Sequence, residues 1–234
     1  PHDLTPLLVQ YRDFSCWQRE WLSGEVLNRQ IEYWRNRLEN APDLLELPTD
    51  YPRSNDQTTD GDTIQFLWEN EISSKIESYS NSQGVTPFMT LLTLFTILLS
   101  KYSQQDDICV GTPIANRNRP EIESIIGFFV NTLVLRTKID TNRSFNDLVQ
   151  EVKANSLEAY SHQDLPFEQL VDELKPDRNT SHTPLFQVLF SLQNLPTESR
   201  PLPGVKITPL ESKSQHSKFD LKLNFMQQSN GLSG

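Results

Sequence analysis

The sequence holds two cysteines, Cys16 and Cys109, too few and too far apart for a zinc site or a disulfide framework. Such sparse use of thiols fits a reducing compartment, so a cytoplasmic location is expected. No apolar run approaches the roughly 20 residues that a bilayer crossing needs. The most apolar stretch, residues 88–99, is interrupted by Thr90, Thr93 and Thr96. Basic residues are scarce, 21 Lys+Arg against 31 Asp+Glu, which leaves a net charge of -10. That balance lacks the footprint of a nucleic-acid binder and is repelled by anionic lipid, so neither is expected as a partner. Histidine is rare as well, with four in the chain and no two adjacent.

Apolar and aromatic residues, by contrast, are plentiful. Hydrophobic residues make up 36% of the chain, with 12 Phe and 4 Trp, too apolar for a disordered segment. At 234 residues the chain accommodates one large domain or two small ones with a real core. It begins at Pro1 without a methionine and stops at Gly234 directly after a strand pattern, so both ends are expected to be cuts through a longer polypeptide.

Residues 7–22 and 25–38 carry apolar side chains at helical spacing, with Gly24 between them. Trp17 and Trp21, four apart, are expected in the core. Residues 41–62, rich in Pro and Asp, are expected to run over the surface as an extended strap. Ile64, Phe66 and Trp68 then alternate as in a half-buried strand. The sequence Ser74-Lys75-Ile76-Glu77 reads as a capping box opening a short helix, with Gly84 as its C-terminal cap. Thr86-Pro87 caps the next helix, which carries apolar residues on one face with Leu94 and Ile97 on the other and is expected to be buried nearly all round.

Residues 108–114 and 129–139 read as strands joined by the polar loop 115–124. Ser144 caps a helix, Pro166 opens another that ends before Pro176, and strands are expected at 185–194, 205–210 and 219–226, the last left as an unpaired sheet edge. The interspersed order, without regular βαβ units, predicts a mixed sheet with helices packed on one face.

Several polar residues sit where packing alone would not select them. Asn131 and Thr132 interrupt an apolar strand, and a buried amide must find partners. One reading makes Asn131 a satisfied core residue. His162, Gln163 and Asp164 lie at a helix entrance, where Asp164 and Glu168 favour the positive end of the helix and Phe167 anchors it. Arg117 and Arg119 lie in the polar loop and are ordinarily solvated. The five residues from His216 to Asp220 match HxxxD, in which a histidine removes a proton from an acceptor nucleophile. Leu221 follows the aspartate where a glycine is usual.

Four phrases, in this order, carry a resemblance: residues 11–22 (YRDFSCWQREWL), 126–136 (IGFFVNTLVLR), 162–170 (HQDLPFEQL) and 178–187 (RNTSHTPLFQ). They resemble the later signatures of the condensation domain of non-ribosomal peptide synthetases, over nearly the whole chain. In the fourth, Thr183 stands where the family usually has an asparagine before the proline, so no role of that asparagine transfers. The catalytic signature HHxxxDG, which belongs before all four, is absent from this chain.

The resemblance implies an α/β fold, a mixed α+β two-layer sandwich forming the second lobe of a chloramphenicol-acetyltransferase-like pseudodimer. Residues 1–61 are expected as leading helices and strap, and 62–234 as the lobe, truncated at its C-terminal end. The resemblance also implies that the intact domain joins a donor acyl or peptidyl thioester to an acceptor aminoacyl thioester. Substrates would ride on phosphopantetheine arms, with no cofactor or metal bound directly. Expected partners are the N-terminal lobe of the same domain, donor and acceptor peptidyl carrier domains, and an adjacent adenylation domain.

The catalytic histidine would come from the N-terminal lobe, leaving this chain alone inactive. Gly127, Phe129, Asn131, Thr132, His162 and Gln163 would line the substrate tunnel, where Asn131 is placed to bond an amide or the pantetheine. Arg117 and Arg119 would lie in its floor loop, with Arg117 as a candidate ion-pair partner, and residues 195–218 would form a latch onto the other lobe. Two alternatives stand: a carrier-docking module without chemistry, and a stand-alone acyltransferase using His216 and Asp220.

Overall fold

The computed structural model describes residues 6–54, 58–175, 181–193, 205 and 216–234. Two helices lead, α1 (Tyr11–Trp21) and α2 (Gly24–Leu38), followed by the strap. Then come β1 (Leu67–Glu69), α3 (Asn70–Gln83), α4 (Pro87–Ser103), β2 (Asp107–Ile114), α5 (Pro120–Glu123) and β3 (Asn131–Lys138). The chain continues through α6 (Phe145–Ser161), α7 (Phe167–Leu174), β4 (Val188–Gln193), β5 (Leu221–Gln228) and β6 (Gly231–Ser233).

The caps that the sequence announces are in place. Thr86 Oγ1 accepts from the Met89 amide at 3.3 Å, with Pro87 at the first helical position of α4. Ser144 and Asp147 close a reciprocal capping box on α6, and those Ser144 donors hold the Asp147 carboxyl below the usual carboxylate range. Gly84 ends α3 with φ 61°, where a side chain would be strained. The expected start of α3 at Ser74 is not what forms. The helix begins a turn earlier at Asn70, and Ser80 inside it bonds the Ile76 carbonyl at 2.6 Å and Thr90 Oγ1 at 2.8 Å.

These strands form one six-stranded mixed sheet in the order β1-β6-β5-β4-β2-β3. Strands β2, β4 and β5 run parallel in its middle, and the antiparallel partners flank them. On one face, Phe190 of β4 meets Phe88 and Phe95 of α4 at 5.4 and 5.6 Å between ring centroids. Helices α3, α4 and α6 form the layer there. The opposite face is covered near β2 and β3 by α2, α7 and the strap. Gly111 of β2 makes that packing possible: a Cβ there would lie 2.2 Å from the Phe186 ring, itself packed between Phe167 and Phe219.

Four expectations need correction. Helix α4 is not buried all round: Leu94, Leu98 and Tyr102 are 43%, 50% and 62% exposed. Thr93 and Thr96 are buried instead, their hydroxyls returned to the Met89 and Leu92 carbonyls at 2.7 and 2.8 Å. Trp17 and Trp21 are not core either; α1 buries no residue fully, and the two indoles stack on each other at 5.3 Å.

The alternating run at Ile64, Phe66 and Trp68 shrinks to a three-residue strand, with Ile64 exposed. Strand β5 is not an open sheet edge. It lies between β4 and β6, and β6 follows a two-residue turn that the sequence pattern did not announce. The strand expected at 205–210 and most of the latch lie outside the described residues. Among the described residues, no single helix is long and apolar enough to cross a membrane.

The two thiols differ sharply in environment. Cys109 is buried, and desolvation with nearby Asp107 pushes its thiol up to about 12, whereas Cys16 is exposed. A maleimide at mildly alkaline pH is therefore expected to label one cysteine in the folded chain and two in denaturant, counted by intact mass. Two labels under native conditions would contradict the packing of β2.

Candidate functional site

The phrase at 126–136 begins as extended chain and becomes β3. Its side chains alternate: Ile126, Phe128 and Val130 project outward, 93%, 76% and 51% exposed, while Phe129 is buried. Gly127 permits this course, because a Cβ would lie 2.3 Å from the Tyr11 ring. Tyr11 also donates its hydroxyl to the Phe128 carbonyl at 2.9 Å. Phe129 anchors a small second core with Ile122, Ile125, Val9 and Phe14, through which α1 holds the segment.

Asn131, the first residue of β3, uses its side-chain amide in full. Its Nδ2 donates to the carbonyls of Gln163 and Leu165, both at 2.8 Å. Its Oδ1 accepts from the amides of Thr132 at 2.8 Å and Phe167 at 3.0 Å. One side chain thus fastens the turn between α6 and α7 to β3. Its hydrogen-bonding capacity is fully spent within the chain.

His162 caps the C-terminus of α6. Its ring stacks on Tyr33 at 3.9 Å with 6° between planes, Nδ1 lies 2.9 Å from the Glu158 carbonyl, and its own carbonyl accepts from Trp34 Nε1 at 2.9 Å. Tyr33 is pushed up to about 12 by burial, with Arg37 opposing. Gln163 contributes its backbone carbonyl to Asn131, and Thr132 its amide.

The expected ion pair at Arg117 is replaced by other partners. Arg117 donates to the carbonyls of Ile122 and, at 3.2 Å, Glu123, and lies over the Phe129 ring at 4.2 Å. Arg119 lies over the Trp17 ring at 4.3 Å, so consecutive parts of the loop reach different elements. Asn118, between them, donates to Asp164 at 3.2 Å.

Arg136, the last residue of the phrase, is the most heavily bonded side chain in this region, and residue-type reasoning did not single it out. Nε and one terminal nitrogen fork onto Asp107 at 2.8 and 2.6 Å. The remaining donors reach the carbonyls of Arg37, Glu39 and Asn40 at 3.1, 2.8 and 3.1 Å. All five guanidinium N–H groups are used, three of them on carbonyls around the C-terminus of α2, where a cation also complements the helix dipole. Gln187 was passed over too: it bonds the Leu45 amide and the Asp43 carbonyl and so pins the strap. The available signal was the same for both, a long polar side chain inside an apolar run.

The HxxxD pair sits elsewhere, where the strap meets the start of β5. The Asp220 carboxylate is forked by Arg53, and His216 is exposed, with Nδ1 3.5 Å from Thr59 Oγ1. Among the described residues, no group of three or more His, Cys, Asp or Glu is placed to hold a metal ion.

The chain matches the family model described as "Condensation domain" over residues 2–233. It is 47% identical over 231 residues to malpinin synthetase of Mortierella alpina, covering 99% of this chain and 3% of that protein. To tyrocidine synthase 3 of Brevibacillus parabrevis it is 43% identical over 222 residues, covering 95% of this chain and 3% of that protein. The chain therefore spans a small part of the length of these relatives.

Among solved structures, the X-domain from teicoplanin biosynthesis superposes with a TM-score of 0.87 at 21% identity, over 99% of this chain and 54% of that one. A four-domain nonribosomal peptide synthetase bound to AMP and glycine gives 0.82 at 24%, over 92% of this chain and 18% of that one. At such identities these two structures speak for the fold alone.

Proposed function

We propose that this chain, which belongs to the condensation-domain family, is one half of a domain that forms amide bonds between carrier-bound thioesters. The observation that carries this reading is the family match over residues 2–233, in a chain with no adjacent histidine pair. The acceptor amine attacks the donor thioester carbonyl; a C–N bond forms, the C–S bond breaks, and the donor arm leaves as a thiolate. The N-terminal half supplies the histidine that takes or orients the amine proton. Carrier domains bring both substrates on phosphopantetheine arms, and an adenylation domain loads the acceptor.

In this reading residues 1–61 lead into the lobe formed by 62–234. The ridge of Ile126, Phe128 and Val130 gives the channel an apolar wall, and Gly127, Phe129, Asn131, Thr132, His162 and Gln163 fix its shape from behind. Arg117 and Arg119 hold the floor. Asn131 acts by fastening wall to turn, since its bonds are already spent inside the chain.

The test supplies donor and acceptor carriers, loaded, to this chain alone and to this chain with its complementary half, and follows the dipeptidyl-carrier by mass spectrometry. No product is expected from the chain alone, because general-base assistance is worth roughly 10²–10⁴-fold. Product is expected with the complementary half, at an unchanged rate for His216→Ala. Product from the chain alone that disappears in His216→Ala would overturn the reading. Carrier binding without turnover in the presence of both halves would favour a docking module.

A further inference from the structure

The loop at 115–124 is tied to the turn between α6 and α7 by a side-chain hydrogen bond, Asn118 Nδ2 to Asp164 Oδ1 at 3.2 Å. Asp164 does not choose its own position. The carbonyls of the residues on either side of it, Gln163 and Leu165, are both gripped by Asn131, and the Phe167 amide is held by the same side chain. The aspartate is therefore presented toward the loop from backbone fixed before and after it. From the other side, the residue next to Asn118 is Arg119, whose guanidinium lies over Trp17 of α1.

We propose that Asp164 is a positioning residue that locks the 115–124 loop to β3 through Asn118, with Arg119 and Trp17 as the second point of attachment. The groups that bear on its charge are Asn118 and Arg119 from the loop and His162 from the end of α6. Burial works against the carboxylate and raises its pKa, and those three groups oppose the shift. The lock is thus strongest with Asp164 ionised and weakens as pH falls through its raised pKa. The contact stands on the geometry alone, while its consequence for condensation rests on the function proposed above.

Trypsin provides the readout, because the bond after Arg117 lies inside the loop and the bond after Arg119 is blocked by Pro120. In the full chain under native conditions, with each variant's rate divided by its own rate in denaturant because residue 118 follows the scissile bond, Asp164→Ala and Asn118→Asp are each expected to speed cleavage after Arg117 about fivefold, the effect of losing one ordinary hydrogen bond on a local opening equilibrium. Tryptophan emission, to which the stacked Trp17 and Trp21 contribute, should shift in the same variants. The exchange Asn118→Asp with Asp164→Asn restores a donor–acceptor pair with roles reversed, and should return cleavage, relative to the same variant in denaturant, to the starting value.

Lowering pH should shift tryptophan emission in the unaltered chain, and the Asp164-dependent part of that shift should vanish in Asp164→Asn. Equal cleavage in all variants, or an exchange that fails to rescue, overturns the proposal without touching the proposed function. In the complete domain with its carriers, Asp164→Ala is expected to lower kcat more than it raises KM. A domain that makes no amide at all would sink the function while leaving the lock intact.

Discussion

Replacing Arg136 with methionine is expected to cost about 3–5 kcal/mol of folding stability, the range for breaking a buried charge pair by removing one partner. Arg136 is 5% exposed, and its loss strands three carbonyls around the end of α2 and leaves the half-buried Asp107 carboxylate with only the exposed Lys138, at 3.8 Å. Arg136→Lys should recover little, because lysine has three donors and no planar fork to meet a carboxylate and three carbonyls at once. Arg136→Met with Asp107→Leu should recover more than Arg136→Met alone, since no unpaired charge then remains. Urea unfolding of the four chains decides this. A midpoint for Arg136→Met within experimental error of the unaltered chain would mean that α2 is not fastened to β3 in the way described.

That residue also shows where sequence reading stops. Features whose cause lies within a few residues were legible: Thr86 and Pro87 opening α4, Ser144 opening α6, and Gly84 closing α3. The strands β2, β3, β4 and β5 were legible as apolar runs, and the family itself was legible in four phrases. The bonds of Arg136 reach 96 to 99 positions back along the chain, and no periodicity announces such a partner. Strand β6 was missed because three residues are too short for a pattern, and finding it turned β5 from an edge into an interior strand. The exposed stripe on α4 was misjudged because threonines that bond back to their own helix can be buried as readily as leucines. At the site, sequence picked out Asn131 and His162 as unusual, while their partners in the turn and on α2 became visible only in three dimensions.

Asn131 carries the second large expected effect. Asn131→Ala removes four hydrogen bonds at a residue 8% exposed, stranding the Phe167 and Thr132 amides and the Gln163 and Leu165 carbonyls. Stranded buried groups cost roughly 1–3 kcal/mol each, and partial access to water reduces the sum, so a loss of about 2–4 kcal/mol is expected. Asn131→Asp separates the two halves of the amide. Its oxygens still serve the Phe167 and Thr132 amides, but a carboxylate would face two carbonyls where Nδ2 had donated to both. That arrangement favours the protonated acid and raises the folded-state pKa of the introduced carboxyl above its unfolded value. The stability of this variant should therefore be greatest below the unfolded pKa and fall as pH rises through the folded one. Urea midpoints at mildly acidic and neutral pH, for both variants and the unaltered chain, test the sign. If Asn131→Ala unfolds at the unaltered midpoint yet slows amide formation in the complete domain, the amide serves the substrate and not the turn.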